Sequence, residues 1–197
     1  MDNQNGARQP FAPITPPSWG AMACKRAFDI VCSLLGLVVL SPLLLVVSLL
    51  VAVTSPGGVF FRQERIGKGG KPFRIFKFRS MRKDNAGLKI TTGNDSRITP
   101  VGRFLRKSKI DELPQLINVL VGDMSFVGPR PEVADYVSLY TPYQRQVLLV
   151  RPGITGLASI RFRNENDLLT ASTDPNRTYI EQIMPRKIDL DLEYIPH

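Results

Sequence analysis

The chain has 197 residues, 43% of them hydrophobic, and carries 26 lysines and arginines against 17 acidic residues, a formal charge of +9. That length allows one domain with appendages, and that charge calls for an anionic partner: nucleic acid, a phosphorylated substrate or an anionic membrane surface. The only histidine is the last residue, His197, which excludes a Ser/His/Asp triad, a Cys/His couple and a histidine metal cluster, and two cysteines near an apolar block argue against a disulfide framework.

Taken in order, residues 1–19 are polar and proline-containing and read as a flexible tail, not a signal peptide, because no basic region opens them. Residues 20–56 read as a membrane segment. Its centre, Ile30 to Val53, carries no charge and exceeds the ~20 residues a spanning helix needs. Two features favour a helix that enters, breaks and returns over one that crosses. Ser41-Pro42 sits near the middle, where proline removes a backbone hydrogen bond. Both flanks are basic, with Lys25 and Arg26 before and Arg62, Arg65 and Lys68 after, which puts both on the cytoplasmic face. Each arm of roughly 12 residues then rises about 18 Å, short of a full crossing.

Residues 57–197 read as a cytosolic, membrane-associated domain of mixed α/β type, helix-rich α+β. Val59–Gln63 and Pro72–Met81 are expected strands around a glycine turn at 67–70, which is no P-loop because Pro72 follows and no Ser/Thr follows its lysine. The period of two puts Phe73, Ile75, Lys77 and Arg79 on one strand face. Lys77 and Arg79 are candidates to grip a phosphate; a solvated strand end accounts for them equally well. Residues 83–98 read as a polar loop, and helical spacing resumes at Val101.

The densest stretch is Arg106 to Pro131, RKSKIDELPQLINVLVGDMSFVGPRP. Ile110, Leu113, Leu116, Ile117 and Leu120 recur at helical intervals, and Pro114 suits a first turn, so a helix is expected to begin at Asp111. An acid at a helix start is usually a cap. A cap needs neither Glu112 beside it nor Arg103, Arg106, Lys107 and Lys109 upstream, and several cations around an acidic pair suit a site for multiply charged phosphate. With histidine absent, Asp111 and Glu112 are the candidates for carboxylate chemistry. Gly128-Pro129-Arg130-Pro131 aims a guanidinium from a stiff backbone, as phosphate or carboxylate recognition requires, or simply makes a rigid turn. Tyr136–Val150 is apolar and aromatic, suited to a membrane surface or to packing. Leu157–Phe162 looks strand-like, a short helical stripe ends at Pro185, and Ile188, Leu190 and Leu192 alternate with acids.

The combination KRAFDIV, SP, FFRQERIGKGGKPFRIFKFRSM, DELPQLINVLVGDMSFVGPRP and RPGITG, in that order, resembles the bacterial sugar transferases, the monotopic phosphoglycosyl transferases, from about Cys24 onward. The resemblance implies a transferase of the EC 2.7.8 class at the cytosolic face of the bacterial inner membrane. It would move a sugar 1-phosphate from a UDP-sugar to undecaprenyl phosphate, release UMP and begin glycan assembly. It implies Asp111 as nucleophile, Glu112 as its assistant, and Mg²⁺ held by Asp111 and Glu112. It places Lys77, Arg106, Arg130, Arg163 and Asp191 among the polar site residues, with Arg106 and Arg163 on phosphates and Arg130 near the nucleotide. The family's re-entrant break corresponds to Ser41-Pro42. Two departures are visible: the motif usually written Gly-Arg-Asn reads Phe162-Arg163-Asn164, and the chain ends soon after Asp191, where many relatives continue. Direct transfer with both acids as metal ligands and a non-catalytic membrane scaffold are the rival readings; scattered cations without a stacking platform make nucleic acid the weakest partner.

Overall fold

The computed structural model describes residues 13–55, 57–82 and 97–195. The first twelve residues of the expected tail and residues 83–96 of the expected loop lie outside the described residues. The end of the tail is docked: the Ile14 N–H donates to Gln146 Oε1 at 2.6 Å and its side chain packs on the main core.

One helix, α1, runs from Trp19 to Thr54 and continues through Pro42 without an interruption in helical structure, where the sequence led us to expect two arms around a break. Proline at 42 withholds the N–H that Val38 O would accept. The Ser41 hydroxyl donates to that same carbonyl at 2.8 Å, so the helix passes its proline without an orphaned acceptor. Among the described residues this is the one helix long and apolar enough to cross a membrane, and its most apolar 18 residues are only 11% buried. Leu35, Val38, Val39, Leu45, Leu49 and Val53 all stand more than half exposed. A soluble core helix would hide such residues.

Both ends of α1 are fastened to the rest of the chain. Near its start Arg26 donates to the carbonyls of Val119 (2.5 Å) and Leu120 (2.9 Å), Lys25 to Ser125 Oγ, and Asp29 Oδ1 accepts the Phe126 N–H at 3.2 Å. Near its end Val47 and Val51 pack with Phe78 and Leu105. After it, β1 (Phe60–Ile66) and β2 (Pro72–Phe78) form an antiparallel hairpin that pairs Phe61 with Lys77 and Ile66 with Pro72. Next comes α2 (Pro100–Ser108), capped by the Thr99 hydroxyl. A 3₁₀ turn at Ile110–Glu112 leads into α3 (Gln115–Val121). β3 (Ser125–Val127) pairs in parallel with β4 (Gly153–Thr155). The remaining helices are α4 (Ala134–Ser138), α5 (Leu157–Arg161), α6 (Glu165–Thr170), α7 (Pro175–Thr178) and, after a π-helical turn at Tyr179–Ile183, α8 (Met184–Tyr194). The fold is thus helix-rich α+β with one long apolar N-terminal helix.

Several expectations are corrected here. Leu157–Phe162 is a helix, α5, not a strand. Pro185 stands in the first turn of α8, directly after the π-helical turn, rather than ending the helical stripe. Ile188 and Leu192 share a helix face in the main core, so the alternation with acids around them is not a strand pattern. In Tyr136–Val150, Tyr136, Val137, Tyr140 and Val147 are buried in that same core, which makes this segment packing.

Asn118 joins the hairpin to α3. Its side-chain oxygen accepts the Phe76 N–H at 2.9 Å and its amide donates to Arg74 O at 2.9 Å, sealing the outer edge of β2. The glycines of the GPRP and RPGITG motifs serve close approach. A Cβ on Gly153 would lie 2.2 Å from Gly128 N, and one on Gly156 would lie 2.4 Å from Gly128 O. We therefore expect Gly153→Ala to cost roughly 3 kcal/mol or more, since backbone rather than a flexible side chain must move. A thermal unfolding midpoint in detergent within about 2 °C of wild type would contradict this, given ~2–4 °C per kcal/mol at this size.

Candidate active site

The turn that carries the acidic pair is set by Lys109, the only non-glycine residue at positive φ (60°) among the described residues. That left-handed residue ends α2 and turns the chain inward, so that Asp111 is 7% exposed. The expected helix start at Asp111 is corrected: α3 begins at Gln115 after Pro114, and the 3₁₀ turn carries no side-chain cap. Capping therefore does not explain Asp111. Its Oδ1 is buried with no hydrogen-bond partner among the described residues, a costly arrangement that functional sites tolerate.

Glu112 is engaged in the opposite way. Its Oε1 accepts from Lys77 Nζ at 2.8 Å and from Arg130 Nη2 at 3.0 Å. β2 thus supplies one cation, the Pro129–Pro131 segment the other, and the 3₁₀ turn the anion between them. Burial alone would raise the Glu112 pKa; Arg130 and Lys77 outweigh it and hold the carboxylate well below its usual range. Burial, with Arg130 nearby, lowers Lys77 to about 8 against the pull of Glu112. Burial also opposes the Arg130 charge, but Glu112 more than offsets it and leaves the guanidinium firmly protonated. Asp111 is pushed up by burial first and by Glu112, while Lys77, Arg106 and Lys109 oppose the shift.

This is a carboxylate with low hydrogen-bonding commitment beside an ionised one clamped between cations. Residues 20–197 match the family of bacterial sugar transferases. The chain belongs to that family. It is 42% identical to a UDP-glucose:undecaprenyl-phosphate glucose-1-phosphate transferase of Escherichia coli (strain K12), over 99% of this chain and 41% of that protein. It is 47% identical to the exopolysaccharide production protein PSS of Rhizobium leguminosarum bv. phaseoli, over 71% of this chain and 74% of that one. It is 44% identical to a UDP-N-acetylgalactosamine-undecaprenyl-phosphate N-acetylgalactosaminephosphotransferase of Aeromonas hydrophila, over 69% of this chain and 33% of that one. The chain spans about two-fifths or less of the E. coli and Aeromonas relatives.

Within this sugar transferase the structure gathers some of the residues singled out from the sequence and not others. Asp111, Glu112, Lys77 and Arg130 form one cluster, with the charge of Arg106 acting on Asp111. Arg106 Nη1 itself lies 3.5 Å from Met81 Sδ. Arg79 is turned away, donating to the carbonyls of Gly58 (2.8 Å) and Phe60 (3.3 Å), where it braces the link between α1 and β1. Arg163 is exposed at the start of the α5–α6 connection and makes no ion pair with the described residues. Asp191 is buried on α8, its Oδ1 accepting the Ala158 N–H at 3.4 Å. Burial raises it to about 6 against that N–H, Lys187 and the Arg130 N–H. Ser41 and Pro42 lie in α1, away from this cluster in sequence, with the Ser41 hydroxyl bound to Val38 O. Sequence reading missed Arg65, Glu132 and Tyr179, which surround Pro131, and Asn118, because none of them falls in a recognisable spacing.

Glu112→Gln strips the shared charge from two half-buried cations, and we expect it to cost about 2–3 kcal/mol, below the usual loss for a buried pair because Arg130 is partly exposed. The pH signature has a definite sign. The folded pKa lies below the ordinary 4.5, so this stabilisation is complete above that pH and is lost as pH falls below it. In metal-free buffer, thermal unfolding of Glu112→Gln should therefore lack part of the acid slope that wild type shows. Identical slopes would contradict the clamp.

Proposed function

We propose that this chain is the catalytic unit of a phosphoglycosyl transferase that moves a sugar 1-phosphate from a UDP-sugar to undecaprenyl phosphate. The observation that carries the reading is the buried Asp111 carboxylate, whose Oδ1 has no hydrogen-bond partner among the described residues, beside a Glu112 held by Lys77 and Arg130. In the first step an Asp111 oxygen attacks the sugar-bearing phosphorus. The bond from that phosphorus to the UMP oxygen breaks, and UMP leaves with the electron pair. In the second, a phosphate oxygen of undecaprenyl phosphate attacks the same phosphorus and the Asp111–phosphorus bond breaks, which restores the carboxylate. A carboxylate approaching a diphosphate is repelled unless cations offset the charge. Lys77, Arg130 and Arg106 are placed to do so. Clamped by two donors on Oε1, Glu112 fixes where Lys77 and Arg130 stand.

Mg²⁺ fits this donor set. It commonly takes one or two carboxylates and completes its shell with substrate phosphates and water. Asp111 and Glu112 would hold it, and no group of three metal-binding side chains is needed or found among the described residues. When bound, it would neutralise the diphosphate and the departing UMP.

The setting we propose is the cytosolic face of the bacterial inner membrane, with α1 as a re-entrant helix. Its exposed apolar surface needs a lipid environment. Both of its ends are fastened to the same small domain, which favours a helix held on one side of the bilayer over one that crosses it. Undecaprenyl phosphate then presents its phosphate at the surface where the site lies.

The deciding experiment is UMP release in detergent with Mg²⁺, using UDP-glucose and UDP-N-acetylgalactosamine first, because relatives carry both in their names. We expect a stoichiometric UMP burst without acceptor, turnover with it, and loss of both by at least ~10³-fold in Asp111→Asn. Ternary-complex kinetics with no burst would replace the covalent route by direct transfer. An Asp111→Asn protein that turns over like an active wild type would remove Asp111 from the chemistry, and a wild type silent with every UDP-sugar would leave only a membrane scaffold.

A further inference from the structure

Arg130 owes its position to a brace that reaches into the C-terminal helices. Prolines 129 and 131 fix their own φ but do not set how the segment lies against β1. Hydrogen bonds do that. Gly153 N–H donates to Pro129 O at 2.8 Å, and Ile66 N–H donates to Glu132 O at 2.9 Å. Arg65 Nη1 donates to Pro131 O (3.2 Å) and to Glu132 Oε2 (3.4 Å). The other carboxylate oxygen of Glu132 accepts the Tyr179 hydroxyl.

Tyr179 opens the π-helical turn before α8 and is 5% exposed. Its ring packs on Tyr136 with centroids 5.0 Å apart, and Lys187 Nζ sits 5.3 Å from its centre. Burial, then Glu132, raise the phenol far above its ordinary range, so the hydroxyl keeps its proton and donates. Single π-helical turns interrupt helices at a cost and often mark functional positions. Here the turn delivers one hydroxyl to the residue that follows Pro131.

We infer that Tyr179, acting through Glu132, is a positioning residue for Arg130 and so for the Glu112 clamp, a contribution from the C-terminal helices to donor binding. This rests on the transferase reading for its kinetic consequence but not for its geometry.

Tyr179→Phe keeps the ring and its packing and removes only the hydroxyl. In UMP-release kinetics on the full chain, it should lower kcat/KM for the UDP-sugar about tenfold, equivalent to ~1.4 kcal/mol. The value for undecaprenyl phosphate should change by less than about twofold, since an acceptor that attacks the Asp111-bound phosphorus after UMP has left no longer needs the nucleotide held. In an Arg130→Ala background the same substitution should cost nothing further. Hydrogen exchange of the Ile66 and Gly153 amides should accelerate in Tyr179→Phe while the amides of α3 stay unchanged. Equal losses for donor and acceptor, or the same donor loss with and without Arg130, would mean general loosening and overturn the inference. Unchanged exchange at Ile66 and Gly153 would overturn it independently of activity. Wild-type protein that turns over no UDP-sugar would sink the proposed reaction, and the brace would then stand or fall on exchange alone.

Discussion

A single oxygen, Glu112 Oε1, receives donors from two parts of the chain far apart in sequence: Lys77 on β2 and Arg130 after β3. Much of the fold serves to bring those two cations to that one atom. Asn118 closes the edge of β2 and keeps Lys77 in register. Gly128, Gly153 and Gly156 let β3 and β4 approach closely enough for the following segment to turn toward the site. Lys109 accepts a left-handed conformation so that the acidic pair points inward. Glu112 takes hydrogen bonds from both cations, whereas Asp111 Oδ1 beside it is buried with no hydrogen-bond partner among the described residues, and that contrast between neighbouring carboxylates is the chemical content of the site.

The apolar helix and the polar site are mechanically one object. Arg26 of α1 donates to carbonyls at the C-terminal end of α3, where Arg151 Nε also donates to Gly122 O at 2.8 Å. Cations at that end complement the partial negative charge of the last carbonyls. α3 follows directly from the acidic turn, so a helix with an apolar, lipid-suited surface is held only a few residues from the reacting groups. At the other end of α1, Val47 and Val51 pack on Phe78, which immediately follows Lys77. On the membrane placement proposed above, such rigidity would fix the height of the site above the bilayer through short covalent and packed connections rather than a linker.

Legibility in the sequence varied with the range of the interaction involved. The apolar block, the glycine turn between two strands and the amphipathic run around Asp111 were readable because local period and turn chemistry determine them. The acidic pair stood out because nothing else in a chain with one terminal histidine offered nucleophilic or acid–base chemistry. Ile188 and Leu192 were ambiguous: a spacing of four satisfies a strand's period of two as well as a helix's 3.6. Leu157–Phe162 is too short for periodicity to separate strand from helix. Arg79 followed the strand's alternation on paper, but β2 ends at Phe78, so its side chain escapes the pattern and turns to the carbonyls of Gly58 and Phe60.

What the sequence determined by itself was the family, the apolar block, the β-hairpin and the candidate paired acids, since motif order, hydropathy and local spacing suffice for these. Tertiary structure alone decided which cations reach Glu112, that Asp191 is buried against α5, and that a tyrosine 47 residues beyond Glu132 braces the Arg130 segment. Those outcomes depend on side chains meeting across large loops, and the meeting is fixed by close backbone packing and burial, which no local pattern of residues records.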